Sequence, residues 1–241
     1  MAEWRVNLEG DEFDLEQLAA LLATPRQRLR KEERHFVLTS DRFNTLTDAD
    51  SVRKTAVHLT DTLFGLARLT YGARIPFRVG SLRWVEDNGR TNYYLSLESV
   101  SITIRGGAPE SGAHEINDHV PPGDPSIDWV SLSESDESVS RVLRLYGKAA
   151  DVWNDLYPIY EIIQLDMGGE SAIVSSGWTS ANEIARFTRT AGQPYLAEDR
   201  PKDSGATVEP PSKEMTHVEG KEFVESLLNS WLKMKHQSRE S

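Results

Sequence analysis

Cysteine is absent from this chain. Disulfide bonds, thiolate nucleophiles and cysteine-ligated zinc are thereby excluded, and a cytoplasmic location is the expectation. Long apolar runs are also missing. None approaches the ~20 residues that a membrane-spanning helix needs, so no membrane partner is expected. The opening stretch MAEWRVNLEGDEFD is acidic where a secretory signal would be basic and then apolar. There is no Walker loop, no GxGxxG and no GxSxG, so nothing calls for a nucleotide, a cofactor or a hydrolase nucleophile. Positive charge is scarce, with a formal net charge of -11. Much of that excess lies in one place, because Pro109 to Glu137 holds eight Asp or Glu and no Lys or Arg. The remainder is close to neutral, which argues against nucleic acid as the partner.

What is present is mostly architecture. Trp4-Arg5-Val6-Asn7-Leu8 alternates apolar and polar and predicts a first strand. A helix is predicted from about Glu12 to Ala23. A second helical piece over Pro25 to His35, with Thr24-Pro25 as its cap and first residue, follows. Phe36 to Thr39 reads as a strand. Asp48 to Tyr71 reads as an amphipathic helix closed by Gly72. Asn88-Gly89 predicts a hairpin with a two-residue loop. Folding about it pairs Trp84 with Tyr93, Leu82 with Leu95 and Gly80 with Leu97, then Phe77 with Val100 and Ile75 with Ile102.

Asp136 to Gln164 carries the longest helical periodicity, with a kink expected at Pro158. Its apolar stripe is wider than one contact needs, so the helix should be covered on two sides. Ser180-Ala-Asn-Glu183 and Thr216-His-Val-Glu219 are capping boxes that open two further helices. The expected fold class is α+β. An N-terminal mixed or antiparallel sheet with a long β-hairpin and two helices occupies residues 1–105. An acidic linker over 106–135 leads to a C-terminal three-helix part over 136–241.

Three groups of residues offer chemistry. Arg26, Arg28, Arg30, Lys31 and Arg34 form the only dense basic cluster and are the candidate binding residues. Glu32 and Glu33 interrupt the cluster and no aromatics interleave it, so a helical surface that pairs with itself fits better than a nucleic-acid contact. His114-Glu-Ile-Asn-Asp118-His119 is the most metal-like run. Its histidines are five apart where the HExxH helix needs four, and it sits in a Gly/Pro-rich stretch, so no metal is expected. Arg30 with His35 and Arg53 with His58 match the Arg-x4–6-His spacing of HEPN-type ribonucleases. With six histidines in the chain, two matches are what chance supplies. The second pair also lacks the polar residue that usually accompanies the Arg.

The second half resembles a family of bacterial proteins of unknown function. The resemblance rests on Trp153-x-x-Leu156-Tyr157-x-x-Tyr160-Glu161-Ile162-Ile163, on Arg186-Phe187-x-x-Thr190-Ala191 and on Trp231-Leu232-x-x-Lys235. Trp4-x-Val6-x-Leu8-x-Gly10-Asp11 adds to it. It implies a shared fold and no assigned activity. Relatives carry an Arg-His pair where this chain has Arg200-Pro201. With no convergent catalytic set, the expected function is a non-catalytic binding or accessory module with a protein partner. The alternative is a hydrolase, metal-dependent through His114 to His119 or an RNase through Arg53 and His58.

Overall fold

The computed structural model describes residues 2–22, 27–95, 129–149, 153–192 and 214–240. The chain divides into two compact units, Met1–Gly123 and Asp124–Ser241. No described helix is long and apolar enough to cross a membrane. The expected partners of Gly80, Phe77 and Ile75 in the hairpin, the His114 to His119 run and Arg200-Pro201 all lie outside the described residues.

The first unit is an antiparallel sheet with helices on one face. Its strands are β1 (Glu3–Glu9), β2 (Gln27–Glu32), β3 (His35–Ser40), β4 (Arg78–Val85) and β5 (Thr91–Tyr94), in the order β2-β3-β1-β4-β5. Its helices are α1 (Glu12–Leu21), α2 (Asp41–Asn44) and α3 (Ala49–Tyr71). Alternation decides the faces. Trp4, Val6, Leu29, Phe36, Leu38 and Leu82 are buried on the side that carries the helices. Asp48 caps α3 by accepting from Ser51 N–H at 2.8 Å, and Gly72 ends it at φ +77°, as its sequence predicts.

Two expectations fail in this unit. Gln27 to Glu32 is a strand rather than part of a helix over Pro25 to His35. Glu33-Arg34 then turns it into β3, with Glu32 opposite His35. Buried Gln27 and Leu29 alternate with exposed Arg28 and Arg30, a period of two, and the six-residue pairing with β3 outweighs the helical propensity of the arginines. The β4–β5 hairpin is displaced by one residue from the expected register, with Leu82 opposite Tyr94, Arg83 opposite Tyr93 and Trp84 opposite Asn92. A two-residue type I′ loop would need positive φ at both Asn88 and Gly89, but only Gly89 has it, at +84°. Glu86 O instead accepts from Gly89 N–H at 2.9 Å, which gives a three-residue loop.

The second unit is helical among its described residues: α4 (Trp129–Ser135), α5 (Glu137–Lys148), α6 (Trp153–Met167), α7 (Glu170–Ser175), α8 (Ala181–Gly192) and α9 (His217–Glu240). The end of the expected linker is therefore helix α4, with Trp129, Val130 and Leu132 buried. Nor is Asp136 to Gln164 one helix. Ala149 leaves helical geometry at φ -58° and ψ 108°, well before Pro158. The break explains the over-wide stripe. It resets the helical phase, so that Ile159 is buried on α6 while α5 buries Val139, Val142, Leu143 and Tyr146, and the two helices pack together. One capping box forms in full and the other in half, since the Glu183 carboxylate accepts from Thr179 Oγ1 at 2.8 Å rather than from Ser180 N–H. Glu183 N–H donates to Ser180 Oγ at 3.2 Å, and Thr216 and Glu219 bond reciprocally at 2.7 and 3.2 Å.

An ionic clamp ties α9 to the start of α5 and the end of α6. Lys235 Nζ lies 2.9 Å from Asp136 Oδ2 and 2.6 Å from Asp166 Oδ1, and Trp231 Nε1 donates to Asp166 Oδ2 at 2.8 Å. Burial alone would raise the Asp136 carboxyl, but the bonds from Lys235 and from Val139 N–H hold it below its ordinary 3.8. A lowered carboxyl contributes stability that is complete above that value and is lost as pH falls through the folded-state pKa. Melting temperature measured from pH 5 downward should fall less steeply for Asp136→Asn than for the wild type, because Asn still caps α5 but no longer titrates. Parallel curves would show that the clamp does not contribute.

Candidate arginine-bearing sheet face

The side of the sheet opposite the helices is polar apart from Val37, which stands between Asn7 and Arg30 and is buried. Its residues come from the outward positions of each strand, such as Arg5 and Asn7 of β1, Arg28, Arg30 and Glu32 of β2, and Arg83 of β4. Pairing sets Arg5 directly opposite Arg83, and Arg83 directly opposite Tyr93. Val6 stands opposite Leu38, which brings Thr39 beside Arg5, and Thr39 is in turn opposite Arg28. The result is a row, Tyr93–Arg83–Arg5–Thr39–Arg28, that crosses the sheet from edge to edge.

Two like charges directly opposite one another on neighbouring strands are unfavourable for folding. Here the repulsion is offset in part. Arg5 Nε and Nη2 both reach Glu3 Oε1, at 2.9 and 2.8 Å. Glu32 then bridges the two arginines, with Oε1 3.4 Å from Arg5 Nη1 and Oε2 3.2 Å from Arg83 Nη2. Arg83 also donates to Asn7 Oδ1 at 3.4 Å, and Asn7 Nδ2 to Ser81 Oγ at 2.8 Å. Arg83 Nε is buried and finds no acceptor among the described residues. Arg30 is exposed and has no ion-pair partner among them. Tyr93 is 65% exposed at the far end of the row. Where β3 runs into α2, a shallow depression of about 260 Å³ is lined by Glu3, Arg28, Arg30, Thr39, Ser40, Asp41 and Asn44.

The basic cluster is therefore divided. Arg28 and Arg30 lie on the polar face with Arg5 and Arg83. Lys31 lies on the other side, where it bonds Glu12 and Glu16 of α1 at 2.5 and 2.7 Å. Those two bonds hold its ammonium above the ordinary value. Arg34 is exposed in the β2–β3 turn, and Arg26 lies outside the described residues. Arg5 and Arg83 escaped the sequence reading, since neither sits in a basic run; their shared polar parity was the only available sign.

Other candidates resolve into structure. Arg53 donates to Gly80 O at 3.0 Å and so fastens α3 to β4, while His58 is exposed further along the helix. Among the described residues no three His, Asp or Glu side chains gather as a metal site. In the second unit a cleft of about 270 Å³ includes Trp178, Glu183, Arg186, Glu219, Glu222 and Phe223. Two of its glutamates are the cap residues described above, and Glu219 also lies 3.5 Å from Arg186 Nη2. The residues that carry the family resemblance are packing and clamp residues: Trp153, Tyr160, Phe187 and Trp231 are buried, and Lys235 is the clamp cation. No protein-family model, curated protein or solved structure matches the chain.

Proposed function

We propose that the protein is a non-catalytic binding or accessory module that engages a protein partner through the arginine-bearing face of its N-terminal sheet. The reading is carried by Arg83. The residue faces a second arginine and keeps a buried Nε–H without an acceptor among the described residues, so the fold gains little from it. Positions where a chain departs from the rules that stabilise it are where a function is to be sought. Removing Arg83 orphans no carboxylate, because Glu32 keeps Arg5.

This gives a test that separates binding from structure. An exposed or half-exposed ion pair is worth at most about 1 kcal/mol, whereas a buried donor without an acceptor costs ~1–3 kcal/mol. Arg83→Met keeps the apolar stem, so urea denaturation should show stability unchanged or higher by up to about 1 kcal/mol. Cross-linking in extracts of the native source should capture a partner with the wild type and lose it with Arg83→Met. Marked destabilisation, or unaltered capture by the folded variant, would refute the reading.

A further inference from the structure

Resting on that reading, we propose that the partner segment is an acidic peptide that lies across the strands along the row from Tyr93 to Arg28. Five neighbouring strands about 4.8 Å apart place the ends of the row roughly 19 Å from one another. An extended peptide rises ~3.3 Å per residue, so about six residues cover the row and alternate side chains face the sheet. Such a segment runs perpendicular to the strands. It is held by its side chains and not by adding a strand to an edge.

The chemistry of the face favours carboxylates. Its arginines already hold carboxylate oxygens, Arg5 through Nε and Nη2 on Glu3 and both Arg5 and Arg83 on Glu32. Guanidinium groups pair with carboxylates through such planar forks. A single-stranded nucleic acid would want successive aromatic platforms, and this row has Tyr93 alone. A lone phosphate would want cations that converge on one point, and these are spread across the whole sheet. Arg30, exposed and without an ion-pair partner among the described residues, is the group left for the incoming acid.

The test uses the full chain and three labelled probes: a Glu/Asp-rich peptide with one tyrosine, its Gln/Asn twin, and oligo-dT of similar length, each followed by fluorescence anisotropy. The acidic peptide should bind, and should weaken about tenfold or more from low to high salt. The Gln/Asn twin should bind at least about tenfold more weakly, since it lacks the charge. Arg30→Met with Arg83→Met should abolish binding, while Lys31→Met, on the opposite side of the sheet, should leave it unchanged. Stronger binding of oligo-dT would overturn the acidic-peptide inference yet keep the face as a binding surface. So would self-association at low salt that the double variant abolishes, since the occupant would then be a second copy. Failure of all the probes while capture from extracts still depends on Arg83 would overturn this inference alone. Failure of the probes together with capture indifferent to Arg83 would overturn both.

Discussion

Gly220→Ala should cost the second unit more than 3 kcal/mol, although alanine is the better helix former by about 1 kcal/mol. Gly220 sits in the first turn of α9, against the outer edge of the Trp153 indole. A Cβ built there would stand 2.1 Å from Trp153 Cη2 and 2.2 Å from Cζ3. The ring has little room to withdraw, being 7% exposed, with Phe187 5.8 Å and His217 5.3 Å from it between ring centroids. Overpacking commonly costs ~1–3 kcal/mol, and a rigid ring at this distance belongs at or beyond the upper end. Urea denaturation followed by circular dichroism gives the number. Trp153→Leu in the same chain should recover part of the loss, because the smaller side chain clears the new methyl. Losses that simply add in the double variant would show that the two positions do not meet.

The second large effect concerns Phe187. It is fully buried, with Phe223 at 4.8 Å, Tyr160 at 5.4 Å, Trp153 at 5.8 Å and Tyr157 at 6.3 Å between ring centroids. It joins α8 to both α6 and α9, so truncation leaves a cavity bounded by several rings that cannot all collapse into it. Phe187→Ala should lose about 3–5 kcal/mol, and Phe187→Leu about a third of that. The ratio of the two losses is the informative quantity. Equal losses would mean that the ring edge, and not the filled volume, holds α8. A loss under ~0.5 kcal/mol for the alanine variant, typical of an exposed site, would remove Phe187 from the core.

The features legible in the sequence are those written within a few residues. The capping box at Thr216, the caps at Ser180 and Asp48 and the left-handed Gly72 each need one turn of chain, and each formed as expected. The Trp4-Val6-Leu8 alternation likewise sufficed for a strand. What failed depended on partners elsewhere. Only Leu29 among the inward residues of β2 is apolar, so hydropathy alone could not reveal the strand, and its pairing with β3 decided it. Asn88-Gly89 favours a hairpin but does not choose between two-residue and three-residue loops. That one-residue difference decides that Tyr93, and not Tyr94, stands opposite Arg83. The break at Ala149 was signalled only by an apolar stripe too wide for one helix. The candidate face was the least legible of all, because Arg5 and Arg83 are brought together by strands far apart in sequence.

The order β2-β3-β1-β4-β5 has a kinetic consequence. Two of its pairings, β2–β3 and β4–β5, are local hairpins, whereas β1 joins them through Glu3 opposite Val85 on one side and Leu8 opposite Phe36 on the other. The first strand of this sheet to leave a ribosome is therefore its keystone, and its partnership with β4 waits until residues past Val85 have been made. Until then β1 can join only the β2–β3 hairpin, and its apolar side lacks Leu82, the partner of Val6 on β4. Long-range closure of this kind is slow compared with hairpin formation. The joining of β1 to β4, rather than either hairpin, should set the rate at which this unit becomes native.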